Sequence, residues 1–178
     1  EFSNTMAFKG TKDVVVKVFD PQGKAVAEQM KTVAFNGEAI AVENLQFHLS
    51  DIQGWSAENP QLYTIRIIQQ NAQGQDEMAF STKYGFREVK IDGSLLYING
   101  KRLLLKGTKR QDTDPKLGRV QTTDIMLKDV LMMKQNNINT LRTSHYPNDA
   151  KMYAMLDHYG IYTVCEADSE DHPNKSIN

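Results

Sequence analysis

The segment RTSHYPND, Arg142 to Asp149, places a guanidinium, an imidazole and a phenol within five residues. Those groups suit the holding of a carboxylate or of sugar hydroxyls: a guanidinium grips both oxygens of a carboxylate, and an imidazole donates or accepts near neutral pH. Two further polar clusters flank the segment. One runs from Lys109 to Asp114, and the other from Glu166 to His172. Asp168, Glu170, Asp171 and His172 have no spacing specific to a metal, and a solvated acidic loop is the plainer reading. Asp112 and Asp114, close to Pro115 and Gly118, read as turn formers. No G-x-S-x-G, G-x-G-x-x-G, H-E-x-x-H or C-x-x-C pattern occurs. Serine-triad hydrolysis, dinucleotide binding and structural zinc therefore lack support.

The elements that must position these groups change character along the chain. DVVVKVF, AVAEQMKTV, QLYTIRIIQ and EMAFSTKYGF read as strands separated by the turns PQGK and NAQGQ, and EAIAVENLQFHL supplies one or two more. In QLYTIRIIQ the period of two puts Tyr63, Ile65 and Ile67 on one face. Strands without helical periodicity over residues 1–88 imply an immunoglobulin-like β-sandwich. With a single cysteine, no internal disulfide staples it. Cys165 sits in an apolar run and reads as a buried, inert thiol. Trp55 reads as a packing anchor at the sandwich edge or as a sugar-stacking ring.

From residue 89 to 178 the pattern alternates. VKIDGSLLYINGKRLLLKG is a hairpin turning at Asp92-Gly93 and Asn99-Gly100, followed by Leu103–Leu105 as a short buried strand ending at Gly107. Thr122 or Thr123 caps a helix with Met126, Val130 and Met133 on one stripe. NINTLR is a strand, Asp149 to His158 a second helix stopped at Gly160, and IYTVCE a third strand. Met132, Met152 and Met155 read as further core filler. Strand, helix, strand, helix, strand implies parallel βαβ units. These could form a small α/β domain, but the clustering of polar residues after each strand favours the first three βα units of a (β/α)₈ TIM barrel, whose sites lie at that face.

The chain of 178 residues is 40% hydrophobic with a net charge of −1. No basic block points to nucleic acid. No apolar run approaches the ~20 residues that cross a bilayer, so a soluble protein is expected, in the cytoplasm, the periplasm or outside the cell.

WSAENPQLYTI, YGFREVKI, LLLKGTKRQDTDPKLGR, LMMKQNNINTLRTSHYPND and DHYGIYTVCEA resemble family 2 glycoside hydrolases, most closely their β-galactosidase branch. The resemblance runs from about Trp55 to His172. It implies a retaining exo-glycosidase acting on terminal β-D-galactosides, with a sandwich domain before a catalytic barrel. It implies that Arg142 lies near the catalytic carboxylates, and that His145 and His172 contact the sugar. Arg110, kept from the family's G-V-N-R-H-E pattern, joins the substrate-binding set. Lys109 stands where that pattern has asparagine, and Gln111 where it has histidine. Those departures leave β-glucuronidases, which share RTSHYP and carry a lysine near Lys109, as one alternative. A non-catalytic carbohydrate-binding module is another.

The resemblance places the acid/base and the nucleophile on the fourth and seventh barrel strands, so no catalytic residue is expected in this chain. The 178-residue polypeptide alone is expected to be inactive and to self-associate through its open sheet. No cofactor is expected within it, and the resemblance leaves room for a divalent cation in the whole enzyme.

Overall fold

The computed structural model describes residues 2–167. The chain divides into two compact units, Glu1–Gln53 with Gln61–Phe86 and Gly54–Pro60 with Arg87–Asn178.

The first unit is all β. It contains β1 (Phe2–Ser3), β2 (Lys9–Phe19), β3 (Ala25–Asn36), β4 (Ile40–Ala41), β5 (Tyr63–Gln70) and β6 (Asp76–Tyr84). Four of these strands form an antiparallel sheet in the order β3-β2-β5-β6, and β1 pairs with β4. Alternation sets the core. Val14 and Val16 share a face with Val33 and Phe35, and Ile65 and Ile67 pack beside them. Phe2, Ala41, Leu45 and Phe47 cover that face. The second layer is thin: EAIAVENLQFHL yields only the two-residue β4. The turns work through side-chain oxygens. Asp20 Oδ1 accepts from the Gln22 and Lys24 amides at 3.0 and 2.8 Å, and Asn71 Oδ1 accepts from those of Gln73 and Gln75 at 3.0 and 2.9 Å.

The second unit opens with β7 (Val89–Asp92), β8 (Leu95–Ile98) and β9 (Lys101–Arg102) as an antiparallel meander. Asn99 and Gly100 both have positive φ, 50° and 75°, which the tight hairpin turn between β8 and β9 requires. Then follow β10 (Gly107–Arg110), α1 (Thr123–Gln135), β11 (Thr140–Thr143), α2 (Ala150–Tyr159) and β12 (Tyr162–Val164). The last three strands are parallel, in the order β10-β11-β12. Thr122 caps α1, its hydroxyl accepting from the Ile125 amide at 3.3 Å. Asp149 caps α2 through the Lys151 amide at 2.8 Å, and Gly160 ends it in the left-handed region. Met126, Val130 and Met133 of α1 and Met152 and Leu156 of α2 bury against Leu141 and Ile161. No helix among the described residues is long and apolar enough to cross a membrane.

Four expectations change here. Leu103–Leu105 is not a strand, and Leu104 and Leu105 are exposed. The ladder starts at Gly107 instead, because Asn139 takes the preceding backbone: its carboxamide donates to Leu104 O at 2.9 Å and accepts from the Lys106 amide at 2.7 Å. Met132 faces solvent at the margin of the α1 stripe. Cys165 is exposed, because β12 ends at Val164 before reaching it. Trp55 belongs to the second unit. It is 1% exposed, donates its indole N–H to Asp157 O at 2.8 Å and meets Tyr162 edge-on.

Candidate active-site cluster at the strand ends

Register decides which groups meet. The parallel pairing aligns Lys109 with Arg142 and Arg142 with Val164. Leu141, one position earlier, packs into the core with both helices. Side chains alternate along a strand, so Arg142 and Lys109 project from the face away from the helices, while Arg110 and Thr143 project toward them.

Arg142 grips Glu166 with two bonds, Nε to Oε2 at 2.9 Å and an Nη to Oε1 at 3.0 Å. His145 brings Nδ1 to 3.2 Å from Oε1. The Glu166 amide donates to Thr143 Oγ1 at 3.0 Å, which fixes the chain leaving β12 against the end of β11. The side chains of Arg142, Glu166 and His145 are 50%, 26% and 37% exposed, open to a ligand. The Arg142 bond, with a smaller contribution from His145, holds the Glu166 carboxyl below its ordinary range against the opposing effect of partial burial. The same bond pushes Arg142 up. Glu166 is thus an ionised acceptor, poorly suited to donating a proton. His145 Nε2 has no partner among the described residues, which leaves it available to a hydroxyl.

Arg110 lies elsewhere. It is enclosed, its side chain 8% exposed. Nε donates to Asp129 Oδ2 at 2.8 Å, one Nη to Asp112 and to Asn148 Oδ1 at 3.3 Å, and the other Nη to Gln121 Oε1 at 2.7 Å. Burial works against its charge, but the bonds to Asp129 and Asp112 outweigh that and hold its pKa above the usual arginine range. A sugar contact at Arg110 does not fit this placement, because four of its donor bonds go to protein acceptors on the helix-facing side. Asp114 forms a turn, accepting from the Lys116 and Leu117 amides at 2.8 and 2.9 Å. Asp112 does not; it is the ion-pair partner of Arg110.

His172 and the acidic residues around it lie outside the described residues. Among the described residues no three His, Cys, Asp or Glu side chains are grouped to hold a metal. Sequence reasoning missed Asp129, Asn148 and Tyr153. A signal existed for Asp129: it falls three residues after Met126 and four before Met133, so a carboxylate beside that buried stripe needs a partner. Tyr153 carried no such signal. Its hydroxyl accepts from the Asn148 amide at 2.9 Å and lies 3.3 Å from Cys165 Sγ.

Comparison with known proteins fits this arrangement. The family model "Glycosyl hydrolases family 2" matches residues 1–87, and "Glycosyl hydrolases family 2, TIM barrel domain" matches residues 89–178. A beta-galactosidase of Lactobacillus delbrueckii subsp. bulgaricus is 38% identical over 159 residues, 88% of this chain and 15% of that protein. A beta-galactosidase of Priestia megaterium is 43% identical over 130 residues, 72% of this chain and 13% of that protein. The crystal structure of a Bacteroides uniformis beta-glucuronidase superposes with a TM-score of 0.86 at 25% identity, covering 96% of this chain and 21% of that one. The chain thus spans only a small part of the relatives it matches. With both halves matched in order and the parallel strands in place, this chain belongs to glycosyl hydrolase family 2, as a β-rich domain followed by the start of the TIM barrel domain.

Proposed function

We propose that this chain is part of a retaining exo-glycosidase that removes terminal β-D-galactosyl units. In this reading residues 1–88 are an immunoglobulin-like sandwich and residues 89–178 the first three βα units of the barrel. The observation that carries it is the Arg142–Glu166–His145 cluster at the ends of parallel strands, in a chain whose relatives are named beta-galactosidases. Arg142 keeps Glu166 ionised and oriented, and the carboxylate accepts a sugar hydroxyl. His145 offers Nε2 to a second hydroxyl, and His172 adds another contact.

The 178-residue polypeptide by itself is inactive in this reading. A retaining mechanism needs two free carboxyls about 5–5.5 Å apart across the anomeric carbon. Glu166 is committed to Arg142, and Asp112 and Asp129 to Arg110. Among the described residues β10 and β12 each have one neighbour in the sheet, and in this reading the isolated polypeptide self-associates through an open edge.

A β-glucuronidase-like activity is the second reading. Lys109 favours it, projecting beside Arg142 with its ammonium unpaired among the described residues, where it could meet a carboxylate. So does the likeness to the Bacteroides uniformis enzyme.

Assaying the full-length protein with nitrophenyl β-galactoside and β-glucuronide tests all of this. Preference for the galactoside supports the first reading, and preference for the glucuronide the second. Binding of sugar without turnover of either would make it a non-catalytic module.

A further inference from the structure

We propose that Arg110 is a positioning residue, which locks the loops after β10 and β11 together so that His145 stays against Glu166. The proposal rests on the glycosidase reading above, and it replaces a sugar contact at Arg110 with an action through His145.

The case begins with what Arg110 holds. Asp112 stands near the start of the loop after β10, Gln121 near its end, and Asp129 on the second turn of α1. One guanidinium therefore pins both ends of that loop to the helix that follows it. The same group reaches Asn148 in the loop after β11. Two further bonds join the loops on either side of His145. The Ser144 amide donates to Arg110 O at 2.9 Å, and the Asp112 amide donates to Tyr146 Oη at 3.0 Å. His145 is thus flanked by two residues that are each tied to the β10 end.

The chain of contacts continues to Glu166. The Asn148 amide donates to Tyr153 Oη, which lies against Cys165 Sγ, one residue before Glu166. Removing the Arg110 charge would leave Asp112 and Asp129 without their shared cation. The two carboxylates, each partly exposed, would then repel and push the loop away from α1. The Nδ2 of Asn148 and the Nε2 of Gln121 are already buried without a partner. The guanidinium therefore adds a charged tie to the two bonds that already join the loops, Ser144 N–H to Arg110 O and Asp112 N–H to Tyr146 Oη.

A direct substrate contact and a purely stabilising role are the competing accounts, and the test separates them. Arg110→Met and Arg110→Lys are made in the full-length protein, alone and combined with His145→Ala. Steady-state kinetics are measured on whichever nitrophenyl glycoside it cleaves, and imidazole signals are recorded by ¹H–¹⁵N NMR. Arg110→Met should lower kcat about 10-fold or more with KM nearly unchanged, and in the His145→Ala background it should cost less than about twofold. Arg110→Lys should recover part of the loss. The His145 imidazole signals should move in Arg110→Met while those of His48 do not. If Arg110→Met fails to fold, Arg110→Lys is judged by the same readouts. An equal loss in both backgrounds, or a loss confined to KM, would overturn the proposal, as would an unmoved His145 signal in a folded variant. If the wild type cleaves no glycoside, the functional reading fails and the imidazole signals alone decide the positioning role.

Discussion

The Arg142 guanidinium meets the Glu166 carboxylate side-on, with Nε and one Nη each on a separate oxygen at 2.9 and 3.0 Å. A bond to the charged form lowers the folded-state pKa of the acid. The stabilisation is therefore present above the ordinary glutamate value and is lost as pH falls through the depressed one. The melting temperature of wild type should exceed that of Glu166→Gln near neutral pH, and the gap should close as the pH falls below the ordinary glutamate range and through the depressed value. Added salt should narrow it, because both partners are solvent-facing. A gap that widens on acidification would contradict the assignment.

Leu141 is fully buried where β11 meets both helices. Leu141→Ala should cost about 2–5 kcal/mol, the transfer term plus the cavity left behind. Urea unfolding followed by Trp55 fluorescence is the suitable measurement, because Trp55 is the chain's one tryptophan and lies in the same unit. A change below about 1 kcal/mol would mean that the site collapses around the gap.

Gly160 has φ of +75°, and a Cβ there would lie 2.4 Å from Ala57 O. Both the backbone conformation and the space exclude a side chain. Gly160→Ala should destabilise the second unit by more than about 1 kcal/mol, and Gly160→Val by more than that. A neutral Gly160→Ala would show that the end of α2 can be rebuilt without cost.

His145 should matter to catalysis more than to stability, since its ring is partly exposed and Nε2 has no partner among the described residues. In the full-length protein His145→Ala should lower kcat/KM by the equivalent of about 2–3 kcal/mol, with little change in melting temperature. Unchanged kinetics would remove His145 from the sugar-contacting set.

Much of this was legible in the sequence, because it depends on local patterns. The β-branched run in DVVVKVF, the cap at Thr122, the stripe of Met126, Val130 and Met133, and the stop at Gly160 are each set within a turn or a strand. What was not legible depends on groups far apart in the chain. Leu103–Leu105 looks like a buried strand until Asn139, more than thirty residues later, takes its backbone. Arg110 and Arg142 look alike in the sequence, each an arginine near a strand end. Only the register of β10 against β11 sends one to the helices and the other away from them. Trp55 follows a strand-rich run yet packs with residues a hundred positions away.

That division of faces has a consequence for how such a protein can change over evolutionary time. Positions 109 and 142 sit in one row of the sheet and positions 110 and 143 in the next. A substitution at 109 changes a side chain on the face away from the helices and leaves the Arg110 bonds in place. Substitutions at 110 and 143 disturb bonds within the unit, those of Arg110 to Asp129 and of Thr143 to the Glu166 amide. Position 109 is therefore freer to vary than position 110, whose guanidinium is bonded to Asp112, Gln121, Asp129 and Asn148. A library randomised at 109 should retain many folded members, and one randomised at 110 few.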